Sequence, residues 1–200
     1  MNVCYIVGAG DFYGEIHRDD SDLVIAADGG YDTLISHGVI CDLLIGDLDS
    51  IKSAPDETET LRFPVEKDDT DTFLAFKEGY ERGYRIFHVY GGTGGRPDHT
   101  YANYQLLLHA KRVGADAYLF DNNTVSFVLK NESRVLSGKS GQTFSVFALG
   151  SEARGVTIDG AKYEAQSVTL SSDFPLGVSN SFLDSPVTVT VQDGELMIMM

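Results

Sequence analysis

The sequence predicts an α/β fold, with a mostly parallel sheet followed by a smaller all-β part, and two observations support this. Up to about residue 120, short apolar segments alternate with segments of helical period, which is typical of parallel strands joined by crossover helices. After residue 123 no helical period remains, and Gly, Ser, Asp and Asn separate short apolar segments. We therefore expect a Rossmann-like domain over 1–123 and a β-sandwich domain over 124–200.

Each element is predicted from its apolar pattern and from the residues at its ends. The strands expected in the first domain are 2–7, 23–27, 42–45, 85–90 and 115–120. One helix begins at Asp69 or Thr70, either of which can cap it, and continues to Gly83. A second helix runs from Asp98 to Gly114, and a shorter one covers 31–36. The strands expected in the second domain are 124–129, 143–148, 155–158, 167–170, 187–191 and 195–199.

Composition and charge indicate a folded chain that does not bind nucleic acid or membranes. The 42% apolar and 22% charged residues are ordinary for a folded chain. A formal charge of −15 opposes binding to nucleic acid or to an anionic membrane surface. Because no apolar segment approaches the roughly 20 residues that cross a bilayer, and no signal-peptide pattern is present, we expect neither membrane insertion nor secretion. Cys4 and Cys41 each lie in an apolar segment, which indicates buried thiols and fits a cytoplasmic location.

Polar and glycine-rich segments follow three of the predicted strands. Asp28 and Gly29 follow the second strand, Asp47 and Asp49 follow the third, and the segment 91–99 follows the fourth. The carboxyl ends of parallel strands share one edge of a sheet, where ligands of open α/β folds bind. We therefore expect these segments to form one site.

Two acidic segments, the one with Asp47 and Asp49 and the one that ends at Asp71, suit a metal ion. Asp47 and Asp49 are separated by Leu48, so an extended backbone would point both carboxylates the same way. Such pairs suit Mg²⁺, which also takes phosphate oxygens, although two solvated aspartates would give the same pattern. Lys67 precedes the helix start near Asp71, and a cation beside exposed helix amides suits a phosphate. Asp71 would then reach the same metal, whereas the alternative for this segment is a simple helix cap.

The segment 91–99, GGTGGRPDH, is the strongest functional signal in the sequence. Its four glycines let backbone amides approach an anion closely, and the helix that follows adds its positive end. Arg96 supplies a permanent cation for phosphate. Asp98 can serve as a helix cap, a metal ligand or a hydrogen-bond acceptor. The segment lacks the Gly-Lys-Ser or Gly-Lys-Thr ending of a Walker loop.

Together with the late segment 177–180, GVSN, these motifs resemble the signature series of the thiamine pyrophosphokinases over most of the chain. The resemblance implies an ATP-dependent diphosphotransferase that transfers pyrophosphate from ATP to the hydroxyl of thiamine, giving thiamine diphosphate and AMP with Mg²⁺. It also implies a homodimer whose active site lies between subunits, with the β domain binding thiamine and contributing to dimerisation. A metal-dependent hydrolase of a nucleotide or phosphate ester remains the alternative, and a noncatalytic sensor is a third class.

The resemblance also implies a role for each matching residue. The Mg²⁺ ligands would be Asp47, Asp49 and Asp71. The nucleotide phosphates or their surroundings would contact Asp28, Gly29, Lys67, Gly92, Gly94 and Arg96. The catalytic residues would be Asp47, Asp49, Lys67, Asp71, Arg96 and Asp98, with Asp71 or Asp98 as the proton acceptor. Ser179 and Asn180 would contact thiamine. Relatives place a tryptophan near this segment, and because this chain has none, Phe182 is the candidate substitute.

Overall fold

The computed structural model describes residues 2–46, 58–63 and 68–200. The chain divides into two compact units, Met1–Asn123 and Thr124–Met200. Among the described residues, no helix is both long enough and apolar enough to cross a membrane.

The first unit alternates strands with helices. Its described strands are β1 (Val3–Val7), β2 (Leu23–Ala27), β3 (Leu43–Gly46), β4 (Glu59–Arg62), β5 (Ile86–Tyr90) and β6 (Asp116–Asp121). Its described helices are α1 (Gly30–Ser36), α2 (Asp71–Glu81) and α3 (Pro97–Arg112). The strands lie in the order β4-β3-β2-β1-β5-β6, and each of these pairings is parallel.

The helices of the first unit lie on both faces of its sheet. Successive residues of a strand point to opposite faces. Tyr5 of β1 therefore lies in a buried cluster with Leu34 of α1. Its neighbour Cys4 faces α2, which approaches so closely that a Cβ on Gly79 would lie 2.7 Å from the Cys4 Sγ atom. Each face of the sheet is thus covered by packed side chains, with α1 on one face and α2 on the other.

The sequence predicts most of these elements within one or two residues. Thr70, one of the two predicted caps, is the N-cap of α2, and its hydroxyl accepts a hydrogen bond from the Phe73 N–H at 3.2 Å. The strand β4 is not predicted from the sequence, because its residues Glu-Thr-Leu-Arg give no apolar run. Both cysteines are buried and free, as predicted.

The second unit consists of strands in the part that the structure describes. They are β7 (Thr124–Lys130), β8 (Ser133–Leu136), β9 (Thr143–Asp159), β10 (Ala165–Ser171), β11 (Asn180–Ser181), β12 (Val187–Thr190) and β13 (Asp193–Met199). Their order is β7-β13-β9-β12-β8, and β10 and β11 also pair with β9. The pairings of β9 with β10, β11, β12 and β13 are all antiparallel.

The prediction of separate strands over 143–148 and 155–158 is wrong, because β9 runs through both as one strand of 17 residues. Two glycines inside it, Gly150 at φ 72° and Gly155 at φ 61°, let the backbone bend without ending the strand. Opposite them, the register with β13 shifts between Asp193 and Glu195. Glycines that indicate a turn in the sequence therefore form an irregularity within a strand.

The predicted α/β class is confirmed, but the expectation of a mostly parallel, Rossmann-like sheet is wrong for the chain as a whole. Strand pairing is parallel in the first unit and antiparallel in the second, so the chain as a whole has mixed pairing. The reason is the connections: parallel neighbours need a crossover, usually a helix, whereas strands that follow each other closely can pair antiparallel. The sandwich arrangement of the second domain stays a prediction.

Candidate functional site

Asp28 lies at the carboxyl edge of the first unit's sheet, directly beside the end of β3. Its N–H donates to the Ile45 carbonyl at 2.7 Å, and a Cβ on Gly46 would lie 3.2 Å from the Asp28 Cα. Asp28 has a φ of 49°, which is uncommon for a residue other than glycine and which aspartate adopts more readily than most residues. Gly29 follows as the N-cap of α1.

Part of the predicted metal and phosphate site lies outside the described residues. Asp47, Asp49 and Lys67 belong to this part. Asp71, the third predicted metal ligand, is the first residue of α2. Within residues 2–46, 58–63 and 68–200, no group of three His, Cys, Asp or Glu side chains could hold a metal.

The loop after β1 runs beside the glycine-rich loop after β5. The N–H of Gly10 donates to the Gly91 carbonyl at 2.9 Å, and the N–H of Asp11 donates to the Thr93 carbonyl at 2.9 Å. The approach is so close that a Cβ on Gly8 would lie 2.6 Å from the Gly91 carbonyl oxygen. This first loop is not among the predicted site segments, although the Gly-Ala-Gly sequence directly after β1 is a signal for it.

A cavity of about 250 Å³ opens where these loops meet the starts of α2 and α3. Gly92 and Arg96, two of the predicted phosphate-binding residues, line it. Thr72 brings the first turn of α2 to the same cavity. The structure therefore places the glycine-rich loop and the start of α2 at one cavity.

Two buried polar side chains support the wall of this cavity. The Asn103 side chain of α3 donates from Nδ2 to the Gly92 carbonyl at 2.8 Å and fixes the loop to the helix. Thr93 is only 6% exposed. Across the described parts of the chain, its Oγ1 is the only buried side-chain nitrogen or oxygen without a hydrogen-bond partner. An unpaired buried hydroxyl costs about 1–3 kcal/mol, which a hydrogen-bonding ligand would recover.

Arg96 and Asp98 form an exposed, bidentate ion pair at the start of α3. Arg96 Nη2 lies 2.6 Å from Asp98 Oδ2, and Arg96 Nε lies 3.1 Å from Asp98 Oδ1. Asp98 is not the helix cap: Arg96 holds that position, and the Asp98 carboxylate accepts from the His99 N–H at 3.0 Å. The hydrogen bonds from Arg96 lower the pKa of Asp98, which makes this carboxylate a weaker proton acceptor while the pair persists.

Gly94 occupies a position in the glycine-rich loop that only glycine fits without a shift. Its φ is 82°, and a Cβ there would lie 2.1 Å from the Asp11 Oδ2 atom. Its neighbour Gly95 has no heavy atom within 4 Å of the corresponding Cβ position. The carboxylate of Asp11 therefore packs directly on the loop at Gly94.

The two predicted thiamine contacts differ in how their side chains are used. Ser179 is exposed, with a φ of 60°, and its N–H donates to the Ser145 hydroxyl at 3.1 Å. Asn180 is 5% exposed. Its Oδ1 accepts from the Tyr163 N–H at 3.0 Å and from the Ser181 N–H at 2.8 Å, while its Nδ2 donates to the Tyr163 carbonyl at 2.7 Å.

Phe182, the candidate substitute for the missing tryptophan, is a core residue. Its side chain is 1% exposed, and its ring centroid lies 4.8 Å from that of Phe144. Tyr163, by contrast, is 60% exposed and lines a cavity of about 460 Å³ together with Asn180. Nothing in the sequence around Tyr163 distinguishes it from the other tyrosines, because its prominence depends on which rings the fold buries.

Comparison with known proteins gives the family. The family model described as thiamin pyrophosphokinase, catalytic domain, matches residues 17–119, and the one described as thiamin pyrophosphokinase, vitamin B1 binding domain, matches residues 123–196. The chain belongs to the thiamin pyrophosphokinase family. The thiamine pyrophosphokinase of Bacillus subtilis strain 168 is 28% identical over 191 residues, which are 90% of this chain and 88% of that protein.

Solved thiamin pyrophosphokinase structures are similar over almost the whole chain. The crystal structure of thiamine pyrophosphokinase from Bacillus subtilis has a TM-score of 0.90 and 25% identity, covering 98% of this chain and 97% of that one. The crystal structure from Geobacillus thermodenitrificans has a TM-score of 0.86 and 25% identity, covering 98% and 96%. The match to the thiamin pyrophosphokinase catalytic domain contains Thr93 and Arg96, whereas Gly10 and Asp11 precede it.

Proposed function

We propose that this protein transfers a pyrophosphoryl group from ATP to thiamine, giving thiamine diphosphate and AMP. In this reaction the hydroxyl oxygen of thiamine bonds to the β-phosphorus of ATP. The bond from that phosphorus to the oxygen that leaves with AMP breaks, and the hydroxyl proton is released. The observation that carries the proposal is the match of both family domains, catalytic and vitamin B1 binding, along one chain.

The cavity between the loops after β1 and β5 would bind the phosphates of ATP. Its wall offers glycine amides, the guanidinium of Arg96 and the unpaired hydroxyl of Thr93. Rotation about χ1 would move the Thr93 hydroxyl to another staggered position, from which it would reach a phosphate oxygen. Asp28 and Gly94 belong to the loops that shape the same sheet edge.

We also propose that Asp47, Asp49 and Asp71 hold Mg²⁺, with Lys67 near the phosphates. The support is chemical, since three carboxylates offer the hard oxygen ligands that Mg²⁺ prefers. The bound ion would neutralise charge on the phosphoryl oxygens. The hydrogen bonds from Arg96 lower the pKa of Asp98. The proton acceptor would be Asp71 or Asp98, and Asp98 would also position the reacting groups.

The two units would divide the substrates between them. Residues 1–123 would bind ATP and Mg²⁺, and residues 124–200 would bind thiamine and form a homodimer. Large apolar side chains exposed in the second unit, including Phe174, Leu176 and Val178, support the dimer. Two buried, reduced thiols suit a cytoplasmic location.

A product assay tests the reaction directly. Purified protein is incubated with Mg²⁺ and ATP, with thiamine present or omitted, and the products are resolved by mass. We expect AMP and thiamine diphosphate in equal amounts, and neither product without thiamine. Formation of ADP and thiamine monophosphate would contradict the reaction, and nucleotide breakdown that is independent of thiamine would indicate a hydrolase. Light scattering of the eluting protein measures whether it is a dimer.

A further inference from the structure

Three successive carbonyls in the loop after β5, those of residues 91–93, accept hydrogen bonds from other parts of the first unit. The first and the third accept from the backbone N–H groups of Gly10 and Asp11, each at 2.9 Å. The middle one, of Gly92, accepts from the Nδ2 atom of Asn103 at 2.8 Å. Asn103 is therefore the only one of the three donors that belongs to a side chain, and a substitution can remove it.

The N–H groups of the same loop are used differently from its carbonyls. Within the described residues, the N–H groups of Thr93, Gly94 and Gly95 have no hydrogen-bond partner. The buried hydroxyl of Thr93 has none in that part of the chain either. A loop whose carbonyls are bound and whose N–H groups are open presents partial positive charge, which suits an anion.

Asn103 occupies a position of α3 where the pattern of the helix calls for an apolar residue. It is 6% exposed and belongs to the same buried set of α3 residues as Leu106, Leu107 and Ala110. Only the nitrogen of its side-chain amide can donate to a carbonyl, so the contact with Gly92 fixes which way the amide is turned. Burying an amide has a desolvation cost that a leucine would avoid, which indicates a role in the loop rather than in the packing of α3.

Gly92 does not by itself determine the direction of the peptide that joins it to Thr93. Without a Cβ, glycine permits more than one orientation of this peptide. A Cβ on Gly92 would lie 3.0 Å from the Asn103 Nδ2 atom, so the glycine also lets the two residues approach each other. The C=O and N–H of a trans peptide point in opposite directions. The hydrogen bond from Asn103 to the Gly92 carbonyl therefore also sets the direction of the Thr93 N–H.

We propose that Asn103 is a positioning residue for the phosphates of ATP, and that it acts by keeping the Gly92 carbonyl turned away from them. This inference rests on the proposed function, in which the cavity beside this loop binds those phosphates. With its carbonyl bound to Asn103, the peptide offers the Thr93 N–H to a phosphate oxygen. If the peptide turned over, its carbonyl oxygen would face the phosphate, and the two negatively charged groups would repel each other.

The test measures binding of Mg-ATP by calorimetry to variants of the full chain. Asn103→Ala and Asn103→Leu change the side-chain volume in opposite directions, but both remove the donor to Gly92. We expect each variant to bind Mg-ATP about tenfold more weakly, because the N–H that faces the charged phosphate is no longer held in place. In the thiamine diphosphate assay the KM for ATP should rise by a similar factor, while the KM for thiamine stays within about twofold of the wild type.

Leu106→Ala is the matched control for general damage to α3. Leu106 is 1% exposed, lies one turn beyond Asn103 and is not part of the cavity lining. Its truncation should lower the free energy of unfolding at least as much as Asn103→Ala does, yet leave the affinity for Mg-ATP within about twofold of the wild type. Asn103→Leu keeps the buried side of α3 apolar, so it serves as the test if the alanine variant does not fold.

Two results would overturn the inference. The first is wild-type affinity for Mg-ATP in a folded variant of Asn103. The second is a loss of affinity in Leu106→Ala as large as in the Asn103 variants, because Asn103 would then act only by supporting α3. Wild-type protein that makes no thiamine diphosphate would refute the proposed function, whereas the calorimetric comparison still decides the role of Asn103, since binding requires no turnover. Wild-type protein that does not bind Mg-ATP would refute both.

Discussion

Replacing Gly94 by alanine tests whether the glycine-rich loop has the conformation described here. At a φ of 82° an alanine is strained by about 1–2 kcal/mol. Its Cβ would also lie 2.1 Å from Asp11 Oδ2 and 2.3 Å from Asp11 Cγ, so the Asp11 side chain must move. Forcing that side chain off its rotamer adds about 0.5–1.5 kcal/mol. We therefore expect Gly94→Ala to lower the free energy of unfolding by about 1.5–3.5 kcal/mol.

Thermal and urea denaturation followed by circular dichroism measure this loss. For a chain of this size, the expected loss lowers Tm by about 3–14 °C. Gly95→Ala is the matched control, because a Cβ there meets no atom within 4 Å, and we expect almost no change. Adding Asp11→Ala to Gly94→Ala removes the closest atoms and should recover the steric part, leaving the backbone strain.

A Gly94→Ala variant that unfolds like the wild type would contradict this loop conformation. The conformation is also refuted if Gly95→Ala loses as much stability as Gly94→Ala, since the two positions differ only in φ and in their neighbours. A double variant that is no more stable than Gly94→Ala, after correction for Asp11→Ala alone, would show that Asp11 does not pack on the loop.

Two further outcomes follow from buried groups. Thr93→Val removes an unpaired hydroxyl, so the free energy of unfolding measured without nucleotide should stay the same or rise. The same variant should bind Mg-ATP about 10- to 150-fold more weakly in calorimetry. Wild-type affinity in Thr93→Val would exclude its hydroxyl from phosphate binding, and Thr93→Ser should keep the affinity. Burial raises the pKa of Cys41 to about 11 and raises that of Cys4 further, so at pH 8 iodoacetamide should label the folded protein roughly 100-fold more slowly than free cysteine. Rapid labelling of the native protein, before urea is added, would contradict this burial.

The sequence predicts the first unit well because its strands are apolar runs that end at glycine or aspartate. The strand β2, Leu23–Ala27, is buried at every residue, and a pattern so uniform leaves no alternative element. The strand β4 has exposed and half-buried residues, so its strand character depends on pairing with β3, which the sequence does not reveal. Local patterns therefore predict interior strands better than edge strands.

The candidate site is predicted only in part, because some of its contacts join residues that are distant in sequence. The glycine-rich loop and Arg96 are recognisable from their composition alone. The support from Asn103, which lies 11 residues from Gly92, appears only when α3 folds back over the loop. Likewise, Phe182 and Tyr163 are both aromatic residues of the β domain. Phe182 is buried because it packs against residues distant in sequence, Phe144 and Gly138, which the sequence does not reveal.

The strand β9 has a consequence for how the second unit comes apart. Four other strands, β10, β11, β12 and β13, hydrogen-bond to it. If β9 leaves the unit, all four of these strands lose a partner. Amides near its centre, such as that of the fully buried Ala153, should therefore exchange with deuterium only when the entire unit opens. Any ligand that binds this unit in its folded state alone would slow the exchange of those amides together, however far each lies from the bound molecule.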